Sequence, residues 1–349
     1  MQAITSSAAL AALLLAAAGC SGHALADEPG PAPLEGVRIL LGNDDSVQAA
    51  EEDGADGLGL YAIRSELCAA GADVVVFAPW GQQSGKSGSV TTEGPLGLGA
   101  PPGIPDGYAG DCADAPSGGA VHGVCLADGP CGPDSPSATP VDAVSFALAH
   151  GLGAVAGWEG PPDLVVTGVN SGPNVAALVS ASGTVGAASA AQAAGVPAVA
   201  FSASLGADMA VHPGTYAAAA EFGAGLIARM ADDGLLSGAY MVNVNHPHAP
   251  GGEPAADVRW TEQGTASVLA VDYTEKDGAY RRAPRLCAPG DPACVPEAKE
   301  NADAAAVLEE GAVSVGVLGS DRTFAPDEEE DEDDVEDLRE LVESLDGDR

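Results

Sequence analysis

The stretch VRILLGNDD at residues 37–45 decides the fold of this chain, because an apolar run ends abruptly in three polar residues, Asn43, Asp44 and Asp45. Similar runs recur between alanine-rich stretches. Continuous β-branched runs are typical of strands buried on both faces of a parallel sheet. The sequence therefore predicts an α/β protein with a Rossmann-like, doubly wound, mostly parallel sheet. The further strands are expected at 73–79, 163–170, 197–202 and 240–247, and the helices near 58–70, 185–194 and 214–231.

Three other segments depart from this alternation. Residues 100–136 form a Gly/Pro/Asp-rich insertion into the α/β body, which we place at 36–325. After residue 257 the pattern becomes hairpin-like, so we expect a C-terminal hairpin or arm extension, followed by one more strand at 312–318. Residues 326–349 are an acidic tail in which we expect a helix.

The charge balance excludes one class of partner. The 349 residues include 51 Asp and Glu against 13 Lys and Arg, for a net charge of −38. Neutralising the phosphates of a nucleic-acid duplex requires a basic surface, so duplex binding is excluded. Such an excess of acid favours a protein kept soluble in concentrated salt, where screening weakens self-repulsion. Ordinary acidic composition in an alanine-rich proteome is the alternative.

The first 26 residues have the pattern of a signal peptide. Residues 8–18 are an apolar run too short to anchor a chain across a bilayer. Gly19-Cys20-Ser21 resembles a lipobox, which predicts lipidation of Cys20, whereas cleavage after Ala26 would give simple secretion. Both outcomes place the protein outside the cytoplasm, in the periplasm or at the cell surface, with membrane contact only through a lipid on Cys20.

The cysteines support export. Six remain after processing at Cys20, an even number that permits three disulfides. Spacing favours Cys287 with Cys294, and one link among Cys112, Cys125 and Cys131. Neither a CxxC pair nor a nearby histidine array supports the competing interpretation of a zinc site.

Candidate functional residues follow the predicted strands. Ligands of such sheets bind at the carboxyl ends of the strands. Asp44 and Asp45 are adjacent carboxylates, which favours a hard metal cation, although a helix cap plus a solvated acid is the alternative. Residues 82–89 form a loop rich in hydroxyls, and Asn170 and Asn174 follow a third strand.

The segment Ser182-Gly183-Thr184 precedes a helix of small residues. Unpaired backbone N–H groups, the helix dipole and two hydroxyls converge there, which favours binding of an anion such as phosphate. A plain Ser/Thr N-cap is an equal alternative.

The order of these segments resembles the SurE family of survival-protein nucleotidases and phosphatases. NDD, the Ser-Gly loop, GVNSGPN and SGTV carry the resemblance. It continues with TPVD at 139–142, MVNVNHP at 241–247, the strand near 312–318 and a terminal helix at 335–345. It covers about residues 36–345.

The resemblance implies hydrolysis of nucleoside monophosphates with Mg²⁺ or Mn²⁺, in a homodimer or homotetramer. It places the metal ligands at Asp44, Asp45, Ser84 and Asn170, and the phosphate-binding residues at Ser182, Gly183, Thr184 and Asn174. We expect Asp44 to be a structural ligand and Asp45 the catalytic base, with covalent attack by an aspartate left open. A non-catalytic exported lipoprotein that binds nucleotide or metal is the alternative function.

Some positions depart from the family pattern. Ser46 stands where the family has glycine, and extra residues, including Glu51 and Glu52, follow it. His246, at a strand end, is interpreted as a solvated loop residue rather than a substrate contact. A basic group on the predicted hairpin either contacts phosphate or offsets neighbouring acids, and it comprises Lys276, Arg281, Arg282 and Arg285.

Overall fold

The structure is a computed structural model that describes residues 31–49, 57–288, 290–319, 321, 336 and 339. The predicted signal peptide at 1–26 and the acidic residues after Ser46 lie outside the described residues. So does the predicted terminal helix at 335–345, except for Glu336 and Arg339, which are helical. Within the described ranges, no helix is both long and apolar enough to span a membrane.

Eleven strands form in the described part of the chain, nine of them in one sheet. Six of the eleven lie within about one residue of the strands that the sequence predicts. In chain order they are β1 (Arg38–Gly42), β2 (Asp73–Pro79), β3 (Gly97–Gly99), β4 (Val121–Cys125), β5 (Leu164–Ser171), β6 (Ala198–Ala203), β7 (Met241–His246), β8 (Val258–Trp260), β9 (Leu269–Lys276), β10 (Ala279–Leu286) and β11 (Val313–Leu318).

The nine-stranded sheet confirms the predicted fold class. Its strand order is β3-β4-β2-β1-β5-β6-β7-β11-β8. The six strands from β4 to β7 in this order are all parallel. In the centre, Leu40 of β1 lies level with Val75 of β2 and Val165 of β5. All three side chains are buried, which explains their continuous apolar sequences.

Helices cover both faces of the sheet. One apolar core contains residues of α1 and α5, and a second contains residues of α2 and α4. Thr139 and Asp142 form a reciprocal capping box at the start of α2, with both hydrogen bonds at 3.1 Å. The helices are α1 (Leu58–Ala69), α2 (Pro140–Phe146), α3 (Leu152–Ala156), α4 (Gly183–Ala193), α5 (Pro213–Asp232) and α6 (Asp303–Leu308), with a π-helical segment (Ala147–Gly151) joining α2 to α3.

The insertion at 100–136 is partly a strand, which its Gly/Pro/Asp-rich composition did not predict. Residues 121–125 form β4, which pairs in parallel with β2 from Val76 to Pro79. Apolar contacts with the strand beside it outweigh the glycine in its own sequence. The insertion therefore widens the sheet by one strand.

The rest of the insertion is fixed onto α1. The Arg64 side chain is buried and donates hydrogen bonds to three backbone carbonyls of the insertion, those of Tyr108 at 3.1 Å, Asp111 at 2.7 Å and Gly119 at 2.7 Å. Burial lowers the pKa of Arg64. One turn further along α1, Cys68 forms a disulfide with Cys112. A charged side chain and a covalent bond thus hold the insertion at adjacent points.

The other two disulfides agree with the spacing argument. The predicted pair Cys287–Cys294 is confirmed. The predicted link among the three cysteines of the insertion is Cys125–Cys131.

The C-terminal hairpin is present as a two-stranded arm outside the main sheet. Strands β9 and β10 pair in antiparallel fashion around Asp277 and Gly278, a two-residue turn with positive φ at both positions. Tyr273 and Tyr280 on the arm are 68% and 75% exposed. Of the basic residues there, Arg285 forms ion pairs with Asp272 and Asp291, as the counter-charge interpretation predicts.

We expect Arg64→Met to destabilise the protein by about 3 kcal/mol, because three backbone carbonyls in buried or partly buried hydrogen bonds lose their donor. Urea unfolding of the oxidised protein measures this. Arg229→Met is the matched control: Arg229 is exposed on α5 and has no ion pair in the described part of the chain, so the change should stay within about 0.5 kcal/mol. Equal effects of the two substitutions would contradict the anchoring role of Arg64.

Candidate active site

The turn after β1 places two carboxylates inside the protein. Asp44 and Asp45 are each 2% exposed, which rules out the alternative of a solvated acid. Asn43 fixes this turn by accepting the backbone N–H of Ser46 at 3.2 Å and donating to its carbonyl at 3.0 Å. Ser46 has φ +99°, in the region that favours glycine. The backbone therefore keeps the glycine conformation with serine in place, supported by Asn43.

Asp44 contacts the start of α4. The Thr184 hydroxyl donates to Asp44 Oδ1 at 2.5 Å, and the backbone of Gly183 and Thr184 also stabilises the carboxylate. A Cβ atom on Gly183 would lie 2.7 Å from Asp44 Oδ2 and 2.8 Å from its Cβ. Burial raises the pKa of Asp44, and these hydrogen bonds partly oppose that rise. Only glycine lets the helix start approach the strand end this closely.

Asp45 joins two other loops to the site. The Ser84 hydroxyl donates to its Oδ1 at 3.4 Å, and the backbone N–H of Ser171 donates to its Oδ2 at 2.7 Å. Gln83, beside Ser84, donates its backbone N–H to the Asp44 carbonyl at 2.8 Å. The structure therefore brings Ser84 and the end of β5 to the aspartate pair, as the sequence predicts.

The end of β5 has an irregular backbone. The register between β5 and β6 shifts between Thr167 and Asn170, and the Gly168–Val169 peptide is cis. A Cβ on Gly168 would lie 2.2 Å from the Phe201 carbonyl oxygen. Asn170 is buried and donates from Nδ2 to the Gly172 carbonyl at 2.6 Å, which fixes the orientation of its amide. The irregularity re-aims the end of β5 beside Asp45.

Ser182 is an N-cap, as the alternative interpretation proposed. Its hydroxyl accepts the backbone N–H of Val185 at 3.0 Å. Ser182 also lines a cleft of about 590 Å³ that runs along α4 and includes Ser87 and Ser180. Ser87 donates to the Ser180 carbonyl at 2.7 Å and so holds the Ser-Gly loop against this end of the cleft.

Asn174 lies in a separate network at the ends of β6 and β7. Its amide donates to the Ser202 hydroxyl at 2.9 Å, and its backbone N–H donates to Asn245 Oδ1 at 2.7 Å. Asn243 and Asn245 both donate to its carbonyl. In the described part of the chain, its hydrogen bonds go to these residues rather than to the aspartates. The two asparagines of β7 are site-supporting residues that our sequence analysis missed, and the alternation of asparagine with valine in MVNVN was the available signal.

His246 is not the solvated loop residue that we expected. It is 2% exposed at the end of β7, its Nδ1 lies 2.8 Å from the Pro247 carbonyl, and its ring packs against Phe222. Burial lowers the pKa of His246. It is a packed residue whose burial disfavours the charged imidazolium form.

The residues around the aspartate pair fit a hard metal cation. Two buried carboxylates, a hydroxyl and an amide supply only oxygen ligands, as Mg²⁺ and Mn²⁺ prefer. None of the ion pairs in the described ranges involves Asp44, so no basic side chain there neutralises it. Across those ranges, no group of three or more His, Cys, Asp or Glu forms a metal cluster. The donor set thus suits a hard cation rather than zinc.

Fold and site together define a class: doubly wound α/β proteins with an oxygen-rich crevice at the carboxyl ends of the strands, next to a helix start. Comparison with known proteins identifies the family within this class. Residues 39–269 match the family model described as survival protein SurE. The chain belongs to the SurE family.

Similar proteins cover different shares of the chain. The 5'-nucleotidase SurE of Lawsonia intracellularis is 37% identical over 48% of this chain and 51% of its own length. Thus the chain spans about half the length of the first curated relatives it matches. The 5'-nucleotidase SurE of Pseudomonas savastanoi pv. phaseolicola is 31% identical over 82% of this chain and 94% of its own. The crystal structure of the SurE protein from Aquifex aeolicus matches with a TM-score of 0.57 and 26% identity, over 82% of this chain and 94% of that one.

The phosphomonoester hydrolysis that we propose for this site should be about 10²-fold slower in Gly183→Ala, because the new methyl group must displace the Asp44 carboxylate and small displacements at an active site have effects of this size. Hydrolysis of p-nitrophenyl phosphate with Mn²⁺ measures it. Gly225→Ala is the matched control, since Gly225 lies in α5 and its Cβ would meet no atom within 4 Å. Full activity of Gly183→Ala would show that this close approach does not matter.

Proposed function

We propose that this protein is a metal-dependent phosphomonoester hydrolase that acts on nucleoside monophosphates, a 5'/3'-nucleotidase. The observation that carries the proposal is the contact of Asp44 with Gly183 and Thr184, because it places a carboxylate pair directly against a helix start suited to phosphate. The relatives named 5'-nucleotidase support the same activity.

Asp44, Asp45, Ser84 and Asn170 would hold the metal, Mg²⁺ or Mn²⁺. When bound, the cation supplies positive charge against the phosphoryl group and makes water more acidic. The hydrogen bonds of Asp44 to α4 and of Asp45 to Ser171 fix both carboxylates before substrate arrives. This preorganisation limits the reorganisation needed during the reaction.

Asp45 is our candidate for the general base. Its Oδ1 accepts a hydrogen bond at 3.4 Å from the hydroxyl of Ser84, an exposed residue of the adjacent loop. It would accept a proton from the water that attacks phosphorus. The backbone N–H groups at the start of α4, with the positive end of its dipole, would hold the phosphoryl oxygens.

The experiment compares hydrolysis of AMP with Mg²⁺, with Mn²⁺ and with EDTA. We expect turnover with either metal and none after chelation. Asp45→Asn removes a ligand charge and the base, so the rate should fall about 10²–10⁴-fold and added Mn²⁺ should not restore it. Asp232→Asn is the matched control, since Asp232 is exposed at the C-terminal end of α5, away from the site.

Two results would reject this assignment. Turnover by Asp45→Asn equal to that of the wild type would exclude Asp45 as the base. An inactive wild type that still binds AMP with Mg²⁺ would favour the alternative, a non-catalytic exported lipoprotein that binds nucleotide or metal.

Export to the periplasm or cell surface is part of the proposal. Three disulfides in the described chain support an oxidising compartment. Mass spectrometry of the protein from its native source should find an N-terminal acylated Cys20 and all six other cysteines oxidised. An N-terminus at Met1 with free thiols would contradict export.

A homodimer or homotetramer is also proposed. The arm formed by β9 and β10 exposes Tyr273 and Tyr280 on one face, since residues 273 and 282 pair across the strands, as do residues 275 and 280. Exposed aromatic side chains are typical of contact surfaces between proteins. The arm is therefore the surface that we expect a second copy of the chain to contact.

A further inference from the structure

Asp303 is a buried carboxylate outside the site described above. It is the first residue of α6 and is 3% exposed. Its carboxylate accepts the backbone N–H of Ala176, at 3.0 and 3.2 Å from its two oxygens, and that of Gly264 at 2.9 Å. It also accepts its neighbour Ala304's N–H at 2.8 Å. A single side chain thus joins three segments that are far apart in sequence.

The contact with Ala176 matters because of the backbone there. Ala176 has φ +47°, a left-handed conformation that is costly for any residue except glycine. It begins the 3₁₀ helix Ala176–Ala181, which leads directly into Ser182 and α4. Both oxygens of Asp303 receive the Ala176 N–H, so the carboxylate stabilises this turn.

Residues 263–266, which precede β9 and form the base of the arm, support the same turn. Gln263 donates from Nε2 to the Ala176 carbonyl at 3.2 Å, and the backbone N–H of Ala177 donates to the Ala266 carbonyl at 3.3 Å. The donor Gly264 belongs to this same base. The Ala176 turn is therefore clamped between α6 and the start of the arm, and the 3₁₀ helix that it begins ends next to Ser182, the N-cap of α4.

We propose that Asp303 is a positioning residue for the phosphate-binding segment at 174–184, acting through the Ala176 turn. The inference rests on the proposed function, because it assigns a role in substrate phosphate binding. Of the candidate metal ligands, Asp44 is joined to the far end of this segment by the Thr184 hydroxyl, whereas Ser84 lies on a separate loop and donates to Asp45. Asp303 should therefore affect phosphate affinity more than metal affinity.

The test is Asp303→Asn, a substitution of nearly equal size. If the asparagine oxygen takes the place of Oδ1, an N–H group replaces Oδ2, which accepts the Ala176 N–H at 3.2 Å, and the negative charge that strengthens all of these hydrogen bonds is removed, so part of the clamp is lost. We expect the KM for AMP and the Ki for inorganic phosphate to rise about tenfold, as loss of one hydrogen bond to a charged group predicts. The concentration of Mn²⁺ that gives half-maximal activity should change by a smaller factor.

Asp73→Asn is the matched control. Asp73 is also buried and accepts hydrogen bonds from Ser117 and from the Trp158 indole. It is the first residue of β2, so it lies at the amino ends of the strands, away from the proposed site. Asp73→Asn should lower the melting temperature and leave the Ki for phosphate unchanged. If Asp303 has only a structural role, Asp303→Asn should likewise lower the melting temperature without changing that Ki.

A second pair of variants keeps the proposal testable if Asp303→Asn folds poorly. Gln263→Ala removes the other side-chain contact to the same turn and should also raise the Ki for phosphate. Ala176→Gly removes the cost of the left-handed turn, so in the Asp303→Asn background it should restore part of the phosphate affinity.

The possible failures are distinct. If the wild type hydrolyses AMP but Asp303→Asn keeps the wild-type Ki for phosphate, this inference alone is overturned. If Asp303→Asn does not fold, the same conclusion follows from an unchanged Ki in Gln263→Ala. Equal losses of Mn²⁺ and phosphate affinity also overturn it. A wild type without hydrolysis overturns the proposed function.

Discussion

The hydrogen bond from Thr184 to Asp44 is the interaction on which the site depends. It joins the end of the central strand β1 to the start of α4, and Gly183 permits the approach. Two buried carboxylates are costly unless donors and a cation compensate them. The helix start supplies the donors, and the negative charge that remains favours binding of a metal cation. The proposed chemistry thus uses carboxylates whose burial is unfavourable to the fold.

Much of this arrangement can be predicted from the sequence, for a physical reason. Strands buried on both faces have continuous apolar sequences. The sequence alone therefore predicts β1, β2, β5, β6 and β7. Parallel strands deliver their carboxyl ends to one edge, so residues that follow them meet. This reasoning places Asp44, Asp45, Ser84 and Thr184 together, and the contacts between them agree. The roles of these residues stay predictions.

Other features depend on contacts that no local pattern indicates. The sequence of β4 contains a glycine and a histidine, and it forms a strand because β2 and β3 pair with it on either side. In the sequence, Arg64 is one charged residue of an amphipathic helix, and only the structure shows that it donates to carbonyls of the insertion. Asn174 has the residue type expected of a ligand, yet its partners are Ser202 and Asn245. Such long-range pairings decide a side chain's role after the backbone is in place.

The spacing of the disulfides bears on how the chain reaches this structure. Cys125–Cys131 and Cys287–Cys294 close loops with sequence separations of 6 and 7, whereas Cys68–Cys112 closes one of 44. Short loops close more readily, because closure costs less conformational entropy. When the two short loops oxidise first, Cys68 and Cys112 are the remaining pair among the six. Oxidation in this order arrives at the native one of the 15 possible pairings without reshuffling.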